Sequence, residues 1–299
     1  MIRMASRPSK LRRQEERWAY LFLLPQYLGL LCFVLGPVVV TLFLSFSEWN
    51  LVAPPRWIGL QNYQVSFQTD VFWQTWRNTI YYVIATVAGS IVFSLALALA
   101  LNEKLRGVTL YRGIYFLPVV TSAVAVSMVW RWLYNPEFGL FNAVLTTIGL
   151  PTLPWLNSLK WAMPSVIIMS IWQTVGYNMV IFLAGLQGIA DQFYEAAEMD
   201  GATAWQKFRH ITLPLLSPTT FFILITATIG AFQAFNQIYI MTNGGPANAT
   251  RVILLHIYIL AFRLFKIGEA AAVSWALFLI LFILTLINFL IARKWVHYG

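Results

Sequence analysis

Six long apolar stretches constrain this chain more than any other feature of its sequence. A helix needs about 20 apolar residues to cross a bilayer. The qualifying stretches are 19–46, 78–101, 113–134, 162–188, 214–241 and 269–292. None has a charge in its central part; Arg131 and Glu269 lie at predicted ends, where long side chains reach the headgroups. Barrel strands would instead alternate polar and apolar residues. The pattern predicts an all-α polytopic membrane protein with six transmembrane helices.

The composition supports a lipid environment. Hydrophobic residues make up 59% of the 299 residues and charged residues only 10%, whereas soluble domains carry about a quarter charged residues. A net charge of +9 would suggest nucleic acid for a soluble protein. In a membrane protein, basic residues report orientation instead, so no nucleic-acid partner is expected. The single cysteine, Cys32, excludes an internal disulfide and a thiolate metal site.

The distribution of Lys and Arg predicts the orientation. The N-terminal tail, the 102–112 loop, the 189–213 loop and the C-terminal tail together hold 13 of the 20, and the opposite side holds 7. The richer side is cytoplasmic by the positive-inside rule, which places both termini inside. We therefore predict a basic cytoplasmic tail over 1–18, a transmembrane domain over 19–292 and a short cytoplasmic tail over 293–299. Pro25 and Pro37 are expected to bend the first span.

Several kinds of chemistry lack their usual motifs. The sequence has no GxxxxGK[ST] phosphate loop, no HExxH, no nucleophile elbow and no Cys/His cluster, so we expect no catalytic residues, no metal site and no cofactor in this chain. Ion relays and charged-substrate pathways need acids, bases or histidines within the membrane. Since no predicted span has one at its centre, a proton-coupled pump is disfavoured and a neutral solute is favoured.

The cytoplasmic loop 189–213 has the pattern of two short helices. Asp191 can cap a helix that ends at Gly201, and Thr203 and Gln206 form a capping box for a second helix. The residues expected in the last turn of that second helix, where positive charge is favourable, are Lys207, Arg209 and His210. Pro214 would then open the next span. This pattern fits a protruding helix–turn–helix and, equally, an ordinary connection between spans.

The same loop resembles the EAA signature of permease subunits in binding-protein-dependent ABC importers. That signature is Glu-Ala-Ala, three residues, Gly, nine residues and Ile-x-Leu-Pro. It falls here on Glu195, Ala196, Ala197, Gly201, Ile211, Leu213 and Pro214, with Asp200 also fitting. The resemblance implies the ABC type I importer permease fold. It also implies that this loop is the coupling helix, which docks on an ATPase subunit and transmits nucleotide-driven closure to the spans.

Further segments are similar to the maltose, multiple-sugar and glycerol-phosphate permeases. They are the TxGGPxxxT pattern from Thr242 to Thr250, WIGLQNY (57–63) and GIYFLPVV (113–120). The core of the larger maltose permease subunit is the nearest pattern, without that subunit's extra leading spans and outer domain. The resemblance implies a second homologous permease, two ATP-binding cassette subunits that hold ATP and Mg, and an extracellular or periplasmic solute-binding protein. It also implies a bacterial or archaeal cytoplasmic membrane.

Candidate solute-binding residues lie in the fourth and fifth spans. Gln233 and Asn236, with Gln237 beside them, are one turn apart on a helix and offer amides that suit sugar hydroxyls. Amides also join helices inside bundles, and the residues alone favour that packing interpretation over solute binding. The resemblance favours solute binding, because it places sugar-lining amides at Gln233 and Asn236. It also places a sugar-stacking tyrosine at Tyr177, one turn after Thr174. The remaining candidates are their neighbours Gln173 and Asn178, and the mid-span Trp172.

Three alternatives remain open at this point. The same importer type could carry a polyol or glycerol phosphate. A secondary transporter would work without an ATPase, although the absence of central charges disfavours ion coupling. A membrane enzyme would need clustered acids or histidines at one face, and the acids of 191–200 are such a cluster without basic or metal-ligand partners.

Overall fold

The computed structural model describes residues 10–103 and 107–295 of the chain. The outer parts of the two predicted tails, residues 1–9 and 296–299, lie outside the described residues. The first helix begins at Lys10, inside the segment predicted as a tail. The last helix continues to Trp295, past the predicted end of the sixth span.

The described part of the chain is almost entirely helical. Two short strands, β1 (Ser47–Glu48) and β2 (Arg56–Trp57), pair antiparallel. The helices are α1 (Lys10–Leu30), α2 (Gly36–Ser45), α3 (Gln61–Gln68), α4 (Asp70–Asn102), α5 (Val108–Val120), α6 (Ala123–Leu133), α7 (Leu140–Thr147), α8 (Ala162–Gln187), α9 (Asp191–Met199), α10 (Ala204–Lys207), α11 (Leu213–Leu215), α12 (Ser217–Phe232), α13 (Asn236–Met241), α14 (Ile253–Tyr258) and α15 (Ile267–Trp295). The π-helical turns are Leu31–Leu35, Phe208–Thr212 and Ile259–Arg263, and a 3-10 turn covers Trp155–Asn157.

The six predicted spans are confirmed, although two of them are not straight helices. Four uninterrupted segments are long and apolar enough to cross a membrane: Arg17–Ser45, Asp70–Asn102, Ala162–Gln187 and Ile267–Ala292. The other two spans are helix pairs bent sharply at a short break. Counting each bent pair as one span gives six among the described residues.

The third span is broken in the middle, which the sequence interpretation did not anticipate. α5 and α6 meet at 99° across Thr121 and Ser122, whose backbones are extended. The hydroxyl of Thr121 donates to the Pro118 carbonyl at 2.7 Å, and the Ser122 carbonyl accepts from Val126 at 3.0 Å. A helix can break inside a bundle when side chains and neighbouring turns satisfy the freed backbone groups. Hydropathy alone does not register such a break.

The fifth span is also discontinuous, so the prediction of one helix over 214–241 is wrong. The helix that contains Pro214 runs from Ala204 to Leu215 and meets α12 at 62°. A second interruption separates the end of α12 at Phe232 from the start of α13 at Asn236. Because proline has no N–H and its ring crowds the preceding turn, the wider π turn directly before Pro214 lets the helix continue through it.

The first span shows the same arrangement of a π turn before a proline. Leu31–Leu35 is π-helical and Pro37 lies in the first turn of α2. The span nevertheless forms one continuous segment from Arg17 to Ser45, whose most apolar stretch is only 11% buried. The expected bends at Pro25 and Pro37 therefore do not divide it. Its apolar surface faces away from the described bundle and is available to lipid or to another subunit.

The core lies along α8. The most apolar stretch of α8 is 56% buried, against 33% for α4. α8 approaches α5 so closely that a Cβ at Gly176 would collide with the backbone carbonyl oxygen of Tyr115. Glycine at this position lets the two helix backbones touch, as small residues do at helix crossings in membranes. This crossing brings α5 to the edge of the cavity described next.

Candidate functional site

A cavity of about 350 Å³ lies among α4, α5, α8, α12 and α13. Its lining residues are Tyr82, Thr86, Val87 and Ser90 from α4, Val119 from α5, Ser170, Gln173, Thr174, Tyr177 and Asn178 from α8, Thr226, Ala227, Gly230 and Ala231 from α12, and Gln237 from α13. We call it the central cavity. Its size is at the lower end of the range for small-molecule sites, about 300–1,000 Å³.

Five of the eight predicted solute-binding residues line the central cavity. They are Gln173, Thr174, Tyr177, Asn178 and Gln237. Tyr177 is 46% exposed, so its ring is available at the cavity surface. The Thr174 hydroxyl donates to the Ser170 carbonyl at 2.9 Å and keeps its lone pairs available as acceptors. The fold thus places Gln237 beside four residues of α8 that lie at least 59 positions earlier in the sequence.

Gln237 is held by a chain of hydrogen bonds that crosses three helices. Its amide nitrogen donates to the Tyr82 hydroxyl at 2.8 Å, and Tyr82 donates to the Ser170 hydroxyl at 2.9 Å. Ser170 donates in turn to the Val166 carbonyl at 2.8 Å. Tyr82 is only 1% exposed, so the Gln237 amide is bonded to a buried hydroxyl that is itself hydrogen-bonded to Ser170. These hydrogen bonds restrict the orientation of the Gln237 amide. The Gln237 side-chain oxygen accepts no hydrogen bond from the described residues, and Gln237 lines the central cavity.

A second polar pair joins α8 to α4. The Asn178 amide donates to the Ser90 hydroxyl at 3.4 Å, and both residues are buried. Ser90 itself donates to the Val87 carbonyl at 3.0 Å. Asn178 therefore serves helix packing as well as lining the wall. Amides often serve helix packing in membrane bundles, and this role describes Asn178 better than it describes Gln237.

The other three predicted solute-binding residues lie outside the central cavity. Gln233 ends α12, with its backbone N–H on the Ile229 and Gly230 carbonyls, and Asn236 begins α13. The expectation that Gln233 and Asn236 share one helical face is wrong, because the helix is interrupted between them. Both side chains are exposed in this single chain.

Trp172 also points away from the central cavity. Its ring lies 5.3 Å from that of Trp130, and both line a separate apolar groove of about 780 Å³ between α5, α6 and α8. The side chain is 45% exposed. An apolar groove with two indole rings suits a lipid-facing or subunit-facing surface better than a sugar.

Sequence reasoning missed Tyr82, Ser90 and Ser170. A signal for the first two was present, because α4 carries a stripe of hydroxyl residues separated by three or four positions. The stripe consists of Thr75, Thr79, Tyr82, Thr86, Ser90 and Ser94, and all six are buried. In a membrane helix, polar residues that recur at helical spacing mark the face turned to the bundle.

The central cavity offers hydroxyls and amides and no formal charge. None of its described lining residues is Asp, Glu, Lys, Arg or His. The described residues also contain no group of three or more His, Cys, Asp and Glu that could hold a metal ion. Such a wall can orient a ligand that both donates and accepts hydrogen bonds. It has nothing to compensate an ionic group.

The predicted coupling loop forms a protruding pair of helices, α9 and the start of the next helix at Ala204. Its first turn is closed at Gly201, whose φ is +76°. The Ala202 N–H bonds the Ala197 carbonyl at 2.8 Å and the Gly201 N–H bonds the Glu198 carbonyl at 3.0 Å. This is a Schellman motif, in which glycine takes the left-handed position at no steric cost. We call residues 191–212 the knob.

One side-chain contact starts the second arm of the knob, and two more join the two arms. Thr203 and Gln206 form the predicted capping box. The Lys207 ammonium lies 2.6 Å from a Glu198 carboxylate oxygen. Between the arms, the Tyr194 and Thr212 hydroxyls are 3.0 Å apart. These contacts connect the exposed turn to the helix that leads into the fifth span.

Two details of the predicted knob are wrong. Asp191 is the first residue of α9 and makes no side-chain cap, because Ala190 occupies the cap position. The second arm does not end after Lys207, Arg209 and His210, since the helix continues through a π turn to Leu215. The three basic residues therefore lie within that helix. Pro214 lies near its end and does not open a separate span.

The EAA residues map to the knob and to its root. Glu195, Ala196, Asp200 and Gly201 are exposed and Ala197 is half-buried, while Ile211, Leu213 and Pro214 lie in the second arm as it enters the bundle. Large apolar side chains surround the acids: Phe193 is 48% exposed, Trp205 65% and Met199 89%. Such a patch at the tip of a protrusion is typical of a protein interface.

At the other end of the bundle, the TxGGPxxxT segment forms a closed loop attached to α4. The Thr242 and Thr250 hydroxyls are 2.7 Å apart, and Thr250 donates to the Gly245 carbonyl at 2.8 Å. The Asn78 amide donates to the Asn248 and Arg251 carbonyls. The two threonines of the signature thus close the loop on itself. This arrangement explains physically why a hydroxyl is needed at both positions.

A buried histidine supports the same loop. An Arg251 N–H lies 2.8 Å from His256 Nδ1, so Nδ1 accepts and the ring is neutral. Burial and, to a smaller extent, the positive charge of Arg251 lower the pKa of His256 to about 4. His256 is 6% exposed. The ring therefore acts as a neutral acceptor for Arg251 over the physiological pH range.

Comparison with known proteins identifies the family. Residues 90–296 match the family described as "Binding-protein-dependent transport system inner membrane component". The chain is 38% identical to the probable ABC transporter permease protein YesP of Bacillus subtilis, over 98% of this chain and 96% of that relative. It is 33% identical to the trehalose/maltose transport system permease protein MalF of Thermococcus litoralis, over 95% and 97% of the two chains.

A solved structure shows the same architecture. A bacterial ABC transporter involved in the import of the acidic polysaccharide alginate contains a chain that superposes with a TM-score of 0.84 at 26% identity, covering 96% of this chain and 99% of that one. The chain belongs to the inner-membrane permease family of binding-protein-dependent ABC importers.

Proposed function

We propose that this chain is one of two transmembrane subunits of an ATP-driven importer that moves a neutral sugar or oligosaccharide across the cytoplasmic membrane. The observation that carries the proposal is the central cavity, which offers amides, hydroxyls and a tyrosine ring without any formal charge. Neutral saccharides present alternating donors and acceptors that such a wall can satisfy. The trehalose/maltose relative supports the sugar class.

The central cavity also argues against anionic solutes. Glycerol phosphate would bring a charged group to a wall without a cation, and an unpaired charge away from water is costly. The alginate importer is named for an acidic polysaccharide. The absence of a cation among the lining residues of this chain leads us to propose a different, uncharged solute. An uncharged polyol remains chemically compatible.

In the proposed cycle, the hydrolytic chemistry belongs to partner subunits. Two ATP-binding cassette subunits hold ATP and Mg, and one of them receives the knob through its exposed acids and apolar side chains. A second homologous permease completes the translocation path, and a solute-binding protein delivers the solute from outside. ATP binding closes the ATPase pair, the knob follows, and the central cavity turns outward. Lipid surrounds the six spans, and both termini lie in the cytoplasm.

Uptake into vesicles tests this proposal. The complex would be reconstituted with its binding protein, and the uptake of labelled neutral oligosaccharides would be compared with that of uronate-containing ones. We expect uptake of a neutral saccharide that requires ATP and does not depend on an ion gradient. Uptake driven by an ion gradient without ATP, or uptake of charged solutes alone, would contradict the proposal.

A further inference from the structure

A second cavity, of about 820 Å³, opens beside the TxGGPxxxT loop. Its walls come from the end of α6, the segments after it, the end of α13 and the loop itself. Two arginines line it, Arg131 from α6 and Arg263 from the π turn after α14. We call it the outer cavity. It shares no lining residue with the central cavity.

Both guanidinium groups of the outer cavity are held in place. An Arg131 N–H donates to the Ile240 carbonyl at 3.3 Å, and an Arg263 N–H donates to the Asn243 side-chain oxygen at 3.0 Å. Arg263 also lies over the rings of Tyr239 and Tyr258, at 5.7 and 5.8 Å from their centroids. Anchoring of this kind reduces the entropy that an arginine loses when it binds a ligand.

The two arginines lack an acidic partner in the described part of the chain. No lining residue of the outer cavity is Asp or Glu. Elsewhere on this face, Glu48 pairs with Arg56 and Glu269 with Lys266. Glu137 follows the lining residue Pro136 in the sequence, and the ion pairs of the described residues include none between Glu137 and either arginine.

A guanidinium has five N–H donors. Arg131 gives one of them to the Ile240 carbonyl, and Arg263 interacts with the Asn243 side chain and with the Tyr239 and Tyr258 hydroxyls, so each retains further donors. The free donors match the geometry of a carboxylate.

The carboxylate that fits here does not need to pass through the membrane. An anion taken from the outer cavity into the central cavity would lose two cations and meet an uncharged wall, at a high desolvation cost. A group that binds at the outer cavity and remains there avoids this cost. An acidic side chain on a protein that docks at the outer face is such a group.

We propose that the outer cavity receives a carboxylate side chain of the solute-binding protein, held by Arg131 and Arg263. The inference rests on the proposed function, in which a binding protein delivers the solute. It adds the position of the contact, the chemical group that enters it and the two residues that bind that group. Because the loop beside the outer cavity is tied to α4 through Asn78, the docked protein contacts a rigid part of the bundle.

The test titrates the reconstituted complex with the solute-binding protein that stimulates the wild-type ATPase. The variant is Arg131→Gln combined with Arg263→Gln. The matched control is Arg56→Gln, an exposed arginine on the same face that already has a carboxylate partner. We expect the concentration of binding protein for half-maximal stimulation to rise roughly three- to thirtyfold in the double variant. The maximal rate should stay within about twofold, and the affinity should depend less on salt.

The outcomes separate the possible explanations. An unchanged half-maximal concentration, or an equal loss in Arg56→Gln, would overturn the proposal. A loss confined to the maximal rate at saturating binding protein, and absent with solute-free binding protein, would assign the arginines to the solute and also overturn it. Arg131→Lys with Arg263→Lys should restore part of the affinity, which excludes misfolding as the cause. If no binding protein stimulates the wild-type complex, the result contradicts the proposed function and not only the role of the two arginines.

Discussion

At the scale of single residues, the most informative group is Gln237 with the tyrosine behind it. The amide nitrogen donates to the Tyr82 hydroxyl, and Gln237 lines the central cavity. Tyr82 is only 1% exposed, and its hydroxyl is already bonded to Gln237 and Ser170. It therefore acts as a positioning residue, and its hydroxyl matters because it fixes which end of the Gln237 amide is presented.

Replacing Tyr82 with Phe should weaken the binding of the solute during uptake and leave the assembly of the transporter complex intact. The Gln237 amide would lose its acceptor and could rotate, and a hydrogen bond of this type contributes about 0.5–1.5 kcal/mol. We expect the solute concentration for half-maximal uptake to rise roughly two- to tenfold. Tyr81→Phe is the matched control, because Tyr81 is adjacent on α4 and 50% exposed. Equal behaviour of the two variants in an uptake assay would refute the role given to Tyr82.

His256 gives the chain a defined response to acid. Its pKa falls from an ordinary 6.5 to about 4 in the folded chain, so the unfolded chain binds a proton at higher pH than the folded one. The contribution of neutral His256 to the stability of the folded chain is therefore complete above pH 6.5 and is lost as the pH falls toward 4. A pKa difference of this size corresponds to about 3 kcal/mol in the free energy of unfolding.

His256→Gln should remove this part of the acid response. Glutamine keeps an acceptor for Arg251 and does not titrate. We expect the melting temperature of the detergent-solubilised wild type to drop more between pH 7 and pH 4.5 than that of the variant. Parallel curves for the two proteins would show that His256 does not control the acid stability of this region.

At the scale of elements, the knob joins local helix signals to a long-range role. Its turn depends on Gly201 at φ +76°, where an added side chain would meet no atom within 4 Å in this chain. A substitution there costs only the strain of the left-handed backbone, about 1–2 kcal/mol and less for Asp or Asn. Any larger functional effect must come from a partner that approaches the turn closely.

Gly201→Asp should therefore insert into the membrane normally and lose coupling. The control is Gly149→Asp, because Gly149 also has φ +76° with no atom within 4 Å of an added Cβ, but lies in the loop before α8. The same backbone strain should leave coupling intact there. We would measure ATPase stimulation by the solute-loaded binding protein. Normal stimulation in Gly201→Asp, or an equal loss in Gly149→Asp, would argue against docking of the knob on an ATPase subunit.

The elements also show where sequence reasoning succeeds. Hydropathy located all six spans, and the capping box and the glycine stop located the knob, because these signals are local. The breaks at Thr121–Ser122 and at 233–235 were missed, since a broken span has the same average hydropathy as a straight one. Four of the five predicted residues that line the central cavity lie on α8, which is unbroken as predicted, and Gln237 lies on α13 after the break. Gln233 and Asn236 do not line it, because their shared face assumed an unbroken helix.

At the scale of the whole molecule, the charged side chains are distributed differently in the central cavity, the outer cavity and the knob. The central cavity is uncharged, the outer cavity carries two arginines without an acid, and the knob exposes acids with large apolar side chains. Composition predicted the class of protein, and the orientation inferred from the count of basic residues stays a prediction. They could not predict the outer cavity, since it depends on how α6, α13 and the π turn after α14 meet in space.

The described chain also has large apolar surfaces that a single subunit leaves uncovered. The first and last spans are each only 11% buried along their most apolar stretches. Lipid can cover such surfaces, and so can a second permease. Under the proposed function, a second permease supplies the remaining walls of the solute path, and the subunits form a defined complex.

The most direct test is to tag this chain, extract it in mild detergent and identify by mass spectrometry what copurifies. We expect an ATP-binding cassette subunit and a second, related permease in fixed proportion, with the binding protein joining under conditions that trap the docked state. Cross-linking before extraction controls for dissociation by detergent. Recovery of the cross-linked chain alone, or only as a homo-oligomer, would contradict the account and favour a transporter that works without an ATPase.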